Sequence, residues 1–136
     1  MTAEIADKFV QVRRETGFRH RVSVRGHEFA VDEPETIGGT DTAASPLELL
    51  ATALGACVAS TIEMYAERKG WEVGSVEVDV HFAPPRKPEP ARFELAIRLP
   101  AALTDEQVER LEQISRACPV RRTLEGAQVV ERLERV

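Results

Sequence analysis

The sequence predicts an α+β fold. Three observations carry that prediction: period-two alternation of apolar residues in two separate regions, one long capped apolar helix between them, and a second capped helix later in the chain. A length of 136 residues fits a single domain, taken as residues 1–136.

The first third reads as strands. Phe9, Val10 and Val12 open an extended segment, and Thr16-Gly17 marks a turn. His20, Val22 and Val24 share one face of a second strand, with Arg19, Arg21 and Arg25 on the other. Arg25-Gly26 supplies the next turn, and Phe29 with Val31 marks a third strand ending at Asp32. Glu33 to Ala44, rich in Gly, Thr, Asp and Pro, reads as a loop.

Ser45-Pro46-Leu47-Glu48 is a capping box: Ser at the N-cap, Pro at the first helical position, Glu three residues after the cap. Arg68, Lys69 and Gly70 close the helix, with cations at its negative end and Gly at C′. Pro46 to Lys69 therefore predicts a helix of roughly 36 Å. Leu47, Leu49, Leu50, Ala51, Ala53, Leu54, Ala56, Val58 and Ala59 make it apolar on nearly every side. Such a helix must be wrapped all round. One small sheet covers a single face, so the sequence predicts a dimer.

Alternation returns at Val76, Val78, Val80 and Phe82, and again at Phe93, Leu95, Ile97 and Leu99. Pro84 to Pro90 joins these two strands as a hairpin loop. A second helix begins at Thr104, where Gln107 completes another capping box, and buries Val108, Leu111 and Ile114. Pro119 breaks it. A short helical turn through Leu124 and a last strand, Gln128 to Leu133, complete the expected elements.

Eighteen basic and twenty-three acidic residues give a net charge of −5, which argues against a nucleic-acid or anionic-membrane surface. Met1 to Val10 carries no apolar run of the signal-peptide kind, and Glu48 and Glu63 interrupt the longest membrane-span candidate. These features point to a cytoplasmic protein, where disulfides are transient and catalytic or redox-sensing.

Only two cysteines occur. Cys57 lies in the apolar helix, sharing a face with Leu50, Ala53, Leu54, Ser60, Thr61 and Met64, surroundings that by themselves keep a thiol protonated. An activating cation must come from another segment, and the arginine face of the second strand is the obvious supplier. Cys118 precedes Pro119 at a helix start, with Arg116, Arg121 and Arg122 nearby in sequence, which makes it the more readily ionised thiol on local electrostatics. Two readings stand: a redox pair, or two inert cysteines packed in a core. Zinc-ligand spacing and a phosphate-binding Gly-rich loop are both lacking. His20, His27 and His81 read as core or strand-edge residues.

Ser45-Pro46-Leu47-Glu48-Leu49-Leu50, Ala53-Leu54-Gly55-Ala56-Cys57 and Ala117-Cys118-Pro119-Val120, in that order and spacing, resemble the OsmC/Ohr family of osmotically inducible and organic hydroperoxide resistance proteins. The resemblance covers nearly the whole chain from Phe9. It implies an intertwined homodimer with central helices back to back, and thiol-dependent reduction of organic hydroperoxides. It makes Cys57 the attacking and Cys118 the resolving cysteine, reset by a dithiol or lipoylated reductant, with no metal or organic cofactor. It also implies an activating arginine near the first hairpin turn, for which Arg19 is the nearest match and Arg21 its neighbour. The family's helper glutamate directly follows the helix-opening proline, where this chain has Leu47. Glu48 stands one residue later, as in a divergent branch of the family, and its place in the capping box explains it without catalysis. The alternative is a non-catalytic dimeric module that binds a small apolar ligand at the subunit interface, its cysteines structural.

Overall fold

Alternating Arg and Val residues make Arg19–Val24 the centre of the first sheet. The computed structural model describes residues 9–136, so the expectation made for Met1 to Val10 falls largely outside the described residues. Strands β1 (Gln11–Thr16), β2 (Arg19–Val24) and β3 (His27–Val31) form an antiparallel sheet in the order β1-β2-β3. Val22 pairs with Val12 on one side and Phe29 on the other, and is buried. Arg25 and Gly26 both adopt positive φ, the combination that a two-residue hairpin turn requires to match strand twist. In β1 the register shifts between Arg14 and Thr16, leaving Glu15 as the extra residue of a β-bulge.

The loop after β3 is tied to itself. A single 3₁₀ turn spans Glu35–Ile37. A Cβ at Gly39 would stand 1.9 Å from the Glu33 carbonyl oxygen, so only glycine lets the backbone pass there.

Helix α1 spans Pro46–Lys69. Its capping box forms as the sequence predicts: the Ser45 N–H donates to Glu48 Oε1 at 2.8 Å, and the Glu48 N–H to Ser45 Oγ at 3.2 Å. At the other end the Trp71 N–H reaches the Ala66 carbonyl and the Gly70 N–H reaches that of Glu67, a Schellman ending with Gly70 in the left-handed region. The chain divides into two compact units inside this helix, one running to Leu50 and one from Ala51.

The second unit is built on a hairpin. Strands β4 (Glu77–Ala83) and β5 (Arg92–Arg98) pair antiparallel, with Val78 opposite Ile97, Val80 opposite Leu95 and Phe82 opposite Phe93. Helices α2 (Asp105–Ser115) and α3 (Pro119–Gly126) follow, α2 opening on the Thr104–Gln107 capping box. The core gathers Leu54, Val58, Ile62 and Ala66 of α1 with Val73, Leu111 and Cys118, and Val78, Phe93, Leu95 and Ile97 pack against it. Gly55 brings α1 so close to the sheet that an added Cβ would lie 2.9 Å from Val80 Cγ2.

One expectation is corrected. Gln128 to Leu133 lies outside helix and strand, with Val129, Val130 and Leu133 exposed. A strand exists only with a ladder partner, and a local apolar pattern does not supply one. As the sequence reading expects, one chain covers a single side of α1: Ala51, Leu54, Gly55, Val58, Ile62 and Ala66 are buried, while Leu47, Leu50 and Met64 are 50%, 37% and 60% exposed. By length and mean hydropathy (1.5 over its most apolar window) α1 meets the composition of a membrane span despite the interruptions at Glu48 and Glu63. Its buried side nevertheless packs as a core helix does.

Candidate functional site

The apolar spacing that seats α1 in the core also carries Cys57 to its edge. Cys57 is half-buried, one turn before Thr61, whose hydroxyl donates to the Cys57 carbonyl at 2.7 Å. Cys118 occupies the N-cap of α3, directly before Pro119, and is fully buried. Both thiols are free, and Cys57 packs against the core cluster that holds Cys118. Two cysteines sixty-one positions apart in sequence are thus brought together by packing α1 against the break between α2 and α3.

Burial pushes the Cys118 thiol up, and the contact with Cys57 adds to the effect. The N–H groups of Val120 and Arg121 favour the thiolate but do not overcome desolvation. The expectation that local electrostatics ease the ionisation of Cys118 is therefore overturned. Two of its three supposed cations are engaged elsewhere: Arg116 pairs with Glu112 and Arg121 with Glu125, each four residues away. A neighbour in sequence is not a neighbour of the sulfur.

The arginine face of β2 is organised separately, within the first unit. Arg19 Nε donates to Glu15 Oε1 at 3.0 Å, and Arg21 Nε to Glu15 Oε2 at 3.1 Å. The bulge at Glu15 lays one carboxylate across both guanidinium groups, and they hold it below the usual carboxylate range. Arg19 Nη1 also donates to Thr42 Oγ1 at 2.7 Å and to the Thr42 carbonyl at 3.4 Å. Glu48 makes both bonds of the capping box, and the Ser45 backbone and hydroxyl lower its pKa.

Three residues were missed in the sequence. Glu15 is the carboxylate paired with Arg19, and its only signal is a position just before the Gly17 turn. In the sequence Asp32 marks only a strand end, and Thr42 lies within the Glu33 to Ala44 loop. Asp32 is fully buried, and its carboxylate accepts from Thr40 Oγ1, Thr42 Oγ1 and the Thr42 and Glu33 N–H groups. Asp followed by a Thr- and Gly-rich segment is the pattern that hinted at it.

Among the described residues no group of three or more His, Cys, Asp or Glu stands in a metal-binding arrangement. An open cleft of about 460 Å³ at the end of α1, lined by Glu63, Glu67, Trp71 and Glu72 among others, contains neither cysteine.

The family model described as OsmC-like protein matches residues 39–132. A solved structure from Psychrobacter arcticus, described as a candidate osmotic stress induced and detoxification response protein, is similar at TM-score 0.76 and 22% identity, over 84% of this chain and 85% of that one. The OsmC-like protein of Mycoplasma pneumoniae gives TM-score 0.70 and 18% identity, over 89% and 87%. The organic hydroperoxide resistance protein OhrB of Bacillus subtilis gives 0.60 and 18%, over 89% and 92%. No curated protein sequence matches. At these identities the solved structures establish the α+β fold, with its antiparallel sheets and long helix.

Proposed function

The chain belongs to the OsmC-like protein family, and on that premise we propose that it reduces organic hydroperoxides through Cys57 and Cys118. The observation that carries this reading is the packing of the two free thiols together at the edge of the core. Cys57 is the more accessible sulfur and takes the attacking role. Its thiolate attacks the terminal peroxide oxygen, the O–O bond breaks, and the alkoxide leaves and is protonated to the alcohol. Cys57 is then a sulfenic acid. Cys118 condenses with it, water leaves and a disulfide forms. A dithiol reductant, lipoylated in the reading we favour, takes the disulfide back to two thiols by exchange.

Burial suits the resolving role. A raised pKa keeps Cys118 protonated and unreactive toward peroxide until a sulfenic acid stands beside it. Arg19, supplied to Cys57 across the interface of a homodimer, is the proposed activating cation, and Glu48 a helper of that arginine as well as a cap. The dimer is drawn from the uncovered side of α1, the alkyl part of the substrate from the apolar surroundings of Cys57, and the cytoplasm from the need to keep the pair reduced.

The test is a thiol titration after adding cumene hydroperoxide. Loss of two thiols per chain without intermolecular crosslinking supports the enzyme. Unchanged thiols sink it and leave the ligand-binding module with structural cysteines. Cys57→Ser should abolish peroxide consumption, whereas Cys118→Ser should allow one turnover that leaves Cys57 as sulfenic acid. The reverse pattern would exchange the two roles.

A further inference from the structure

The buried carboxylate of Asp32 has four donors and no cation among them. One of those donors, the Thr42 hydroxyl, is shared. It lies 2.6 Å from Asp32 Oδ2 and 2.7 Å from Arg19 Nη1. A carboxylate only accepts, a guanidinium only donates, and a hydroxyl has a single proton. The Thr42 proton must therefore point to Asp32, and a lone pair must face Arg19. Reversing either bond would leave two donors or two acceptors facing each other.

We propose that Thr42, with its hydroxyl oriented by Asp32, is a positioning residue that fixes the Arg19 guanidinium for its work at the thiolate. The proposal rests on the reading of Arg19 as the activating cation. Glu15 holds the Nε edge of that guanidinium, and Thr42 holds Nη1 through both its hydroxyl and its carbonyl. Among the described residues Nη2 makes no hydrogen bond, so both of its N–H groups remain for a ligand. Two anchors at right places on a planar fork set its plane as well as its position. Arg19 alone on a strand, tethered only by an exposed ion pair, would sample many rotamers. The loop that carries Thr42 is in turn held by the other Asp32 bonds, to Thr40 and to the Glu33 and Thr42 N–H groups.

The experiment measures the pH dependence of Cys57 alkylation by iodoacetamide in full-length Cys118→Ser protein, where Cys57 is the sole thiol. Arg19→Met should lower the rate at pH 7 by roughly tenfold, the effect of removing one nearby cation. Thr42→Val should lower it in the same direction by at least about twofold, and adding Thr42→Val to Arg19→Met should lower it no further. Thr42→Ser, which keeps the hydroxyl, should restore the parent profile. Asp32→Asn, whose amide donates where the carboxylate accepted, should match Thr42→Val. It keeps the proposal testable if Thr42→Val fails to fold. A parent-like profile for Thr42→Val or Asp32→Asn beside a shifted Arg19→Met overturns the proposal and leaves the Arg19 reading standing. A parent-like profile for Arg19→Met overturns that reading, and the proposal with it.

Discussion

Cys118 is a thiol whose surroundings act on folding as well as on chemistry. Burial raises its pKa in the folded state, so the folded chain holds that proton more tightly than the unfolded one. Its contribution to stability is complete below the unfolded value, about 8.5, and is lost as pH rises through the higher folded value. Denaturant unfolding between pH 7 and 10 should therefore show declining stability, and Cys118→Ala should flatten the decline. An equal slope in both proteins would place the alkaline sensitivity elsewhere. Asp32 runs the opposite way. Its donors hold the carboxyl well below the usual range, so its contribution is present above about pH 4 and lost on acidification. Neither effect was legible in the sequence. Both depend on which groups surround an atom in space, and two of the arginines near Cys118 in sequence, Arg116 and Arg121, serve Glu112 and Glu125.

At the scale of elements, what was legible is what is local. Both capping boxes need only residues three apart, and both form where the sequence places them. The hairpin of β4 and β5 follows from two runs of alternation and the proline-rich link between them. The bulge at Glu15 and the missing strand at Gln128 to Leu133 depend on partners distant in sequence, and they were not legible, whereas the uncovered side of α1 was, because an all-round apolar helix exceeds what one small sheet covers. Removing the N-cap hydroxyl with Ser45→Ala should cost about 1 kcal/mol in denaturant unfolding. Glu48→Gln preserves the box, so stability should stay within about 0.5 kcal/mol of the parent. If Glu48 also assists the arginine, peroxide reduction should slow in that variant, and unchanged turnover would confine Glu48 to the cap. Gly55 tests the packing of α1 on the sheet. Glycine within a helix gives up about 1 kcal/mol against alanine, so propensity alone favours Gly55→Ala. The added methyl, however, would sit 2.9 Å from Val80 Cγ2, on a stiff β-branched side chain. Overpacking costs about 1–3 kcal/mol, so the substitution should be destabilising on balance. A stabilised Gly55→Ala would mean that α1 lifts from the sheet at little cost.

For the molecule as a whole, the decisive quantity is the apolar surface that one chain leaves uncovered. The buried residues of α1 follow a three- and four-residue spacing along one side. Leu50, Ala53, Ala56 and Met64 lie on the opposite side and are exposed. A soluble chain rarely shows water a contiguous apolar strip of that kind unless something docks on it. A second copy supplies an identical strip, and two such faces are self-complementary about a two-fold axis. The protein should therefore sediment as a dimer at micromolar concentration, with a total interface above about 2,000 Å². Charge placed on the strip tests this directly. Met64→Glu would bury a carboxylate without a partner in each half of the interface, a cost of several kcal/mol that opposes association and leaves the intrachain core untouched. It should shift sedimentation toward monomer, and a Glu at exposed Glu72 changed to Gln, off the strip, should not. Because Cys57 and Cys118 meet within one chain, the monomeric variant also tells assembly apart from thiol pairing. It should still form the intrachain disulfide under a general oxidant, while its reaction with cumene hydroperoxide falls if the partner supplies Arg19. A parent protein that sediments as a folded monomer would contradict the dimer outright.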